Sequence, residues 1–167
     1  MGGLLHAYWG WVYEELGAHG LRERGTRWLD TLTERLQVGG VLTISEQLLP
    51  ADDAVRDRLV SLGVVRRDGD AIRPGHQLLL DHRIAVQLVD DPSTLDAVLT
   101  SRERQDLAWC GRIRLAVPLL REVGPFAALR QAVEAPATRW IMRQAIFRAL
   151  AQVEDPAKSE VDAVIAW

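Results

Sequence analysis

The chain has one cysteine, Cys110, among its 167 residues. That excludes an internal disulfide and any Cys-x-x-Cys metal pattern, and a reducing cytoplasm is the simplest setting for it. Lysine is equally scarce. Lys158 is the only one, so arginine supplies nearly all the positive charge; this reads as genomic base composition. No apolar run approaches the ~18 to 20 residues needed to span a bilayer. Met1-Gly2-Gly3 lacks the basic stretch of a secretory signal, and Ala7 stands near where a myristoylation site needs Ser or Thr. No membrane association is expected. There is no Gly-x-x-x-x-Gly-Lys-Ser/Thr, no His-Glu-x-x-His and no Gly-x-Ser-x-Gly. The chain is therefore expected to be no enzyme and to hold no metal or cofactor of its own. Basic excess is missing too: the formal net charge is −3. Proteins that bind nucleic acid usually carry the opposite balance, so nucleic acid is not expected as a partner.

What is present is ordinary globular composition, 48% hydrophobic and 26% charged, in a chain long enough for one sizeable core or two small ones. Residues 4 to 16 are apolar and aromatic, with Leu5, Tyr8 or Trp9, Val12 and Leu16 at helical spacing. Gly17 or Gly20 can end that helix. It is apolar on more than one face, so an exposed patch is expected around Tyr8, Trp9, Trp11 and Val12. A second helix follows Gly25, with Trp28, Leu29, Leu32 and Leu36 as its stripe and Gly39-Gly40 at its end. Val41 to Ile44 reads as a short strand. Ser45 then caps a helix over Glu46 to Leu49, Pro50 breaks it, and a further helix covers 51 to 62, with Gly63 as its terminator.

Two short β-prone segments flank Asp68-Gly69, the dipeptide that fits a tight type I′ hairpin turn. The order helix, short strand, helix, helix, hairpin is that of a winged helix. The expected fold is thus mostly α, a winged helix-turn-helix with a small β-hairpin wing, followed by α-helical repeats. A helix from His76 to Val89 follows the hairpin, and Asp90-Asp91-Pro92 stops it. Ser93 and Asp96 resemble a capping box for a helix reaching Leu99. A longer helix over 101 to 122 carries Leu107, Cys110, Ile113, Val117 and Leu120, and Pro118 inside it should kink or split it. Beyond Gly124-Pro125, apolar helical segments are separated by Pro125, Pro136 and Pro156, like the first units of a helical solenoid. The chain stops in an apolar, uncapped pattern at Val164 to Trp167, and both ends read as truncations.

Few residues carry candidate chemistry. His76 and His82 are six apart, about 240° around a helix at ~100° per residue, so they do not share a face for a metal. The acid pairs Asp52-Asp53 and Asp90-Asp91 border prolines at helix boundaries, where capping accounts for them. On the 51 to 62 helix the outward residues are Asp52, Asp53, Arg56, Asp57, Arg58 and Ser61, one net negative charge where a DNA reader carries cations. The wing adds Arg66, Arg67 and Arg73 against Asp68 and Asp70. His76 either caps the first turn of its helix or serves as a contact for a ligand.

The stretch from Ala71 to Ala85 resembles the end of the winged-helix domain in STAND NTPases of the NACHT and AP-ATPase type. That family shows an apolar strand residue, a histidine, an acid-aromatic pair and a small residue. Ile72, His76, Asp81 and Ala85 match in register, while Pro74 stands where an aromatic is usual and His82 where Tyr is usual. Leu4 to Trp9 resembles the small helical lid of that family, and 93 to 167 the start of its helical sensor region. The resemblance implies a lid-like helix over 1–25, a winged helix over 26–90 and helical repeats over 91–167. It implies a non-catalytic regulatory role that gates nucleotide-dependent activation, with ADP or ATP bound by an NTPase core outside these residues, homo-oligomerisation on activation, and His76 contacting the nucleotide phosphate. A winged-helix transcription regulator and a helical protein–protein scaffold are the alternatives.

Overall fold

Glycines and aspartates at the ends of apolar stripes set the element boundaries. The computed structural model describes residues 2–39, 41–101, 105–123 and 137–166. Among them it is mostly helical, with eight α-helices and one three-stranded antiparallel sheet. It divides into two units, Met1–Leu80 and Asp81–Trp167.

In the first unit, α1 (Gly2–Ala18) ends in a left-handed residue, Gly20, at φ +66°. The Leu21 N–H reaches back to the Leu16 carbonyl at 2.8 Å and the Gly20 N–H to that of Gly17 at 3.0 Å, which satisfies the last carbonyls of the helix. Of the two glycines expected there, Gly20 does the work and Gly17 lies within the helix. The next helix, α2 (Arg22–Gly39), starts earlier than expected. Gly25 is not its boundary but a buried position inside it. A Cβ there would stand 2.8 Å from Leu16 Cδ1, so the missing side chain lets α1 and α2 close together. Trp28, Leu29, Leu32 and Leu36 all face the core as the spacing predicts.

The strand β1 (Ile44–Ser45) is followed by a single 3-10 turn, Glu46–Leu48, rather than the expected α-helix. The reason lies in Pro50. The residue before a proline is pushed out of the helical region, and Leu49 is extended at φ −104°, ψ 158°. Ser45 does cap the turn. Helix α3 (Asp53–Ser61) begins at the Asp52 side chain, which accepts from the Val55 N–H at 3.2 Å. It ends at Gly63, φ +72°, with the Val64 N–H on the Leu59 carbonyl at 3.0 Å.

The hairpin pairs β2 (Val65–Asp68) with β3 (Ala71–Pro74), and β3 also pairs with β1, so the order is β1-β3-β2. Asp68 opposes Ala71, which leaves Gly69-Asp70 as the turn. Gly69 has φ +60° and Asp70 does not share a positive φ. That is the pattern of a II′ turn, not the I′ turn expected on Asp68-Gly69. The I′ arrangement would have required aspartate in the left-handed region, where only glycine stands without cost. Val65 and Ile72 face the core with Leu16, Leu29, Val55 and Leu59. Full burial of such a Leu, Ile or Val is worth about 1.5–3 kcal/mol relative to exposure.

Helix α4 (Gln77–Asp90) begins in the first unit and continues into the second. There Asp91, not Ser93, caps α5 (Pro92–Thr100). Its carboxylate accepts from the Ser93 N–H at 3.0 Å, Ser93 Oγ at 2.6 Å and Thr94 Oγ1 at 2.6 Å. These bonds, led by the two hydroxyls, hold its pKa down at about 2. Helix α6 (Leu107–Val123) starts later than expected, at the Asp106 carboxylate, and runs unbroken through Pro118. Cys110, Ile113, Val117 and Leu120 are buried as the stripe predicts, but Leu107 is exposed in the first turn. Helices α7 (Trp140–Leu150) and α8 (Lys158–Ile165) complete the unit. Gln105, fully buried, donates to the Leu99 carbonyl at 2.6 Å and accepts from the Arg139 N–H, joining the end of α5 to the start of α7. Glu160, also buried, pairs with Arg121. The separators Pro125 and Pro136 lie outside the described residues.

Gly75 is the tightest of the described glycines. Its N–H donates to the Val64 carbonyl at 2.8 Å, and a Cβ on it would lie 1.9 Å from the Gly63 carbonyl oxygen. Gly75→Ala must therefore push backbone from backbone, and a loss of about 1–3 kcal/mol or more is expected in urea unfolding. Gly10→Ala, in α1 with open space around the new methyl, should raise stability by about 0.5–1 kcal/mol. Equal effects at the two sites would contradict this account. A second expectation concerns acid. Because the folded pKa of Asp91 lies below its ordinary 3.8, the cap contributes above that pH and fades as pH falls towards 2. The Ser93 and Thr94 amide resonances should titrate near 2; a midpoint near 3.8 would show that the cap does not form.

Candidate functional site

The junction between the sheet and α4 is built by three backbone constraints. Gly63 ends α3 with a left-handed turn, Val64 accepts from Gly75, and Pro74 closes β3. His76 therefore follows a fixed corner. It is exposed and stands immediately before α4, where its Nδ1 accepts from the Leu78 N–H at 3.1 Å and its carbonyl from the Leu79 N–H at 3.0 Å. The imidazole thus acts as the cap of the helix. With Nδ1 accepting, the proton of the neutral ring sits on Nε2, which makes no hydrogen bond to the described residues. The arrangement leaves one N–H donor at a helix N-terminus.

The other residues of the resemblance have structural partners. Ile72 and Ala85 are fully buried. Asp81 accepts from Arg112 Nε at 3.0 Å, and that guanidinium lies 4.8 Å from the centre of the Trp109 ring. His82 is buried.

The outward face of α3 carries charges that are already spent. Arg56 donates to Glu46, to Asp53 at 2.6 Å and to Asp57 at 2.8 Å. Hydrogen bonds to Asp57 first and Glu46 second hold it still more firmly protonated than an ordinary arginine. Arg58 pairs with Glu15 of α1. Asp52 receives a two-pronged contact from Arg24, at 2.8 and 2.6 Å, besides capping α3. On the hairpin, Arg67 pairs with the second oxygen of Glu46 at 2.8 Å. Of these groups Glu46, Asp52, Asp53, Arg56 and Arg67 border an open cavity of about 350 Å³, lined also by Trp28, Pro50 and Asp70. Sequence reasoning counted these charges but missed their pairing. A contact between positions 46, 56 and 67 leaves no local signature.

The apolar patch expected on α1 is smaller than its composition implied. Trp9 and Val12 are buried, while Trp11, 43% exposed, Leu4, 77% exposed, and parts of Tyr8 and Tyr13 remain at the surface. The Tyr8 hydroxyl donates to the Leu62 carbonyl at 3.1 Å, and burial raises its pKa. Among the described residues no group of His, Cys, Asp and Glu is placed to hold a metal ion, and no helix is long and apolar enough to cross a membrane.

No family model, curated protein or solved structure matches the chain.

A helix whose arginines are already paired with acids of its own and of neighbouring elements offers little to a phosphate backbone. Gel shifts with a short duplex should show no salt-sensitive binding carried by α3. Sub-micromolar binding that Arg56→Met or Arg58→Met abolishes, without unfolding the protein, would overturn this reading.

Proposed function

We propose that this chain is a non-catalytic regulatory segment of a STAND-type signalling NTPase, a winged helix with an adjoining helical-repeat region that gates nucleotide-dependent activation and oligomerisation. The order α2, β1, α3, β2, β3 supports the winged-helix reading, with the 3-10 turn in place of one helix. In the second unit, Gln105 and Arg139 meet at the starts of α6 and α7, and Arg121 of α6 donates to the Asp155 carbonyl beyond α7. The two helices therefore run in the same direction, as equivalent helices of successive repeats do.

The observation that carries the reading is His76: exposed, fixed at the corner between hairpin and helix, and with its donor nitrogen uncommitted. A helix N-terminus favours anions through its dipole and its N–H groups, and the imidazole adds a donor there. In this reading the nucleotide is held by a P-loop core outside these 167 residues, ADP keeps the assembly closed, and His76 senses its phosphate. The enzyme activity, the cofactor and the oligomer all belong to that larger protein.

The test separates capping from sensing. His76→Ala removes the cap and should cost about 1 kcal/mol. His76→Asn keeps a capping oxygen and should leave stability close to that of the parent. In protein expressed with its NTPase core, both variants should lose bound ADP on purification and signal without stimulus. ADP retention by His76→Asn equal to that of the parent would leave His76 as a cap alone. The 167-residue chain by itself should show no ATP turnover and no tight ATP binding.

A further inference from the structure

The hairpin register places Arg66 directly opposite Arg73. Strand alternation puts both on the face away from Val65 and Ile72, and both side chains are exposed. Neither has an acidic partner among the described residues. In the same unit Arg24, Arg27, Arg56, Arg58 and Arg67 are each ion-paired. Like charges directly opposite each other across two strands destabilise the pair. A glutamate at either position would have supplied a cross-strand ion pair instead. The hairpin thus carries two neighbouring guanidiniums without an ion pair, with Asp68 the one acid on their face, on a sheet in which β2 is an edge strand.

We propose that this outer face of the hairpin is a docking site for an acidic, extended segment of a partner protein, with Arg66 and Arg73 each meeting a carboxylate. Guanidinium and carboxylate match in two-pronged geometry. A strand edge offers backbone groups to an extended peptide, and alternate side chains of that peptide then fall on the arginine face. The surroundings favour a short acidic segment over nucleic acid. Asp68, exposed and opposite Ala71, shares the face with the two arginines, and the exposed Asp70 follows in the turn; a short segment can meet both guanidiniums without lying over these acids, as a long polyanion could not. The site uses neither His76 nor a nucleotide, so it does not depend on the regulatory reading above.

The experiment uses the whole chain and a fluorescein-labelled peptide of alternating Glu and Thr, read by anisotropy. Saturable binding is expected despite the net negative charge of the protein. It should weaken at least about tenfold, one ordinary hot-spot effect, in Arg66→Ser/Arg73→Ser, and stay unchanged in Arg22→Ser/Arg35→Ser, which removes two exposed arginines of α2. Arg73→Glu gives the sharper readout. It should pair with Arg66 and raise the melting temperature while abolishing peptide binding, a split that a purely structural role does not produce. Absence of binding, equal loss in both double variants, or tighter binding of a short DNA duplex through Arg66 and Arg73 would each overturn the proposal.

Discussion

The carboxylate of Glu46 joins three pieces of the first unit that have no covalent reason to meet. One oxygen accepts a hydrogen bond from Arg56 on α3, the other is ion-paired with Arg67 on β2 without hydrogen-bond geometry, and the backbone N–H of the same residue donates to the Asp70 carbonyl in the hairpin turn at 2.7 Å. The 3-10 turn, α3 and the hairpin are thereby fixed at one point. Its partner Arg56 is largely sheltered, with 12% of its side chain exposed. Breaking such a pair costs more than forming it gains, because the remaining charge stays desolvated. Asp53 and Asp57 soften that cost by sharing the guanidinium. The network therefore serves orientation more than net stability, which comes from the apolar groups beneath it.

This pairing also sorts the arginines of the unit by what they remain able to do. Those on α3 are tied to Glu46, Asp53, Asp57 and Glu15, so the helix that would read a duplex in a DNA-binding protein presents balanced ion pairs. Those on the outer hairpin face are left to solvent. Net charge over the whole chain could not distinguish these two situations. The same count of acids and bases supports an inert surface or a binding one, depending on which carboxylates lie within reach of which guanidiniums.

Local chemistry made much of the fold legible. Stripes such as Trp28, Leu29, Leu32 and Leu36 are buried where their spacing places them, and Gly63, Ser45 and Asp52 act at the termini where their side chains, or the lack of one, suit them. The misreadings share a cause, because each needed information from a second element. Gly25 reads as a boundary until Leu16 is seen against it. Trp9 and Val12 read as surface until other elements cover them. Asp68-Gly69 reads as a I′ turn until the register shows Gly69 in the first central position. The shift of the turn by one residue also decides the surface: it brings Arg66 opposite Arg73 rather than Ala71. Position before the helix identified His76, but its capping bond depended on the side-chain rotamer and was not written in its spacing.

The two roles considered for His76 use different atoms and do not compete. Capping engages Nδ1 as an acceptor, which keeps the neutral ring's proton on Nε2 and turns that nitrogen outward as a donor. A serine or aspartate would cap at least as well, but it would end there, with its oxygen directed back at the backbone. A five-membered ring with a second nitrogen can satisfy the helix and still offer a hydrogen bond on its far edge. Gly75 makes this geometry reproducible, since its backbone contact with Gly63 and Val64 fixes where α4 starts relative to α3. The corner is built from glycine, proline and histidine in sequence, and each contributes what the others lack: close approach, a terminated strand, and a side chain that can face both the helix and a ligand.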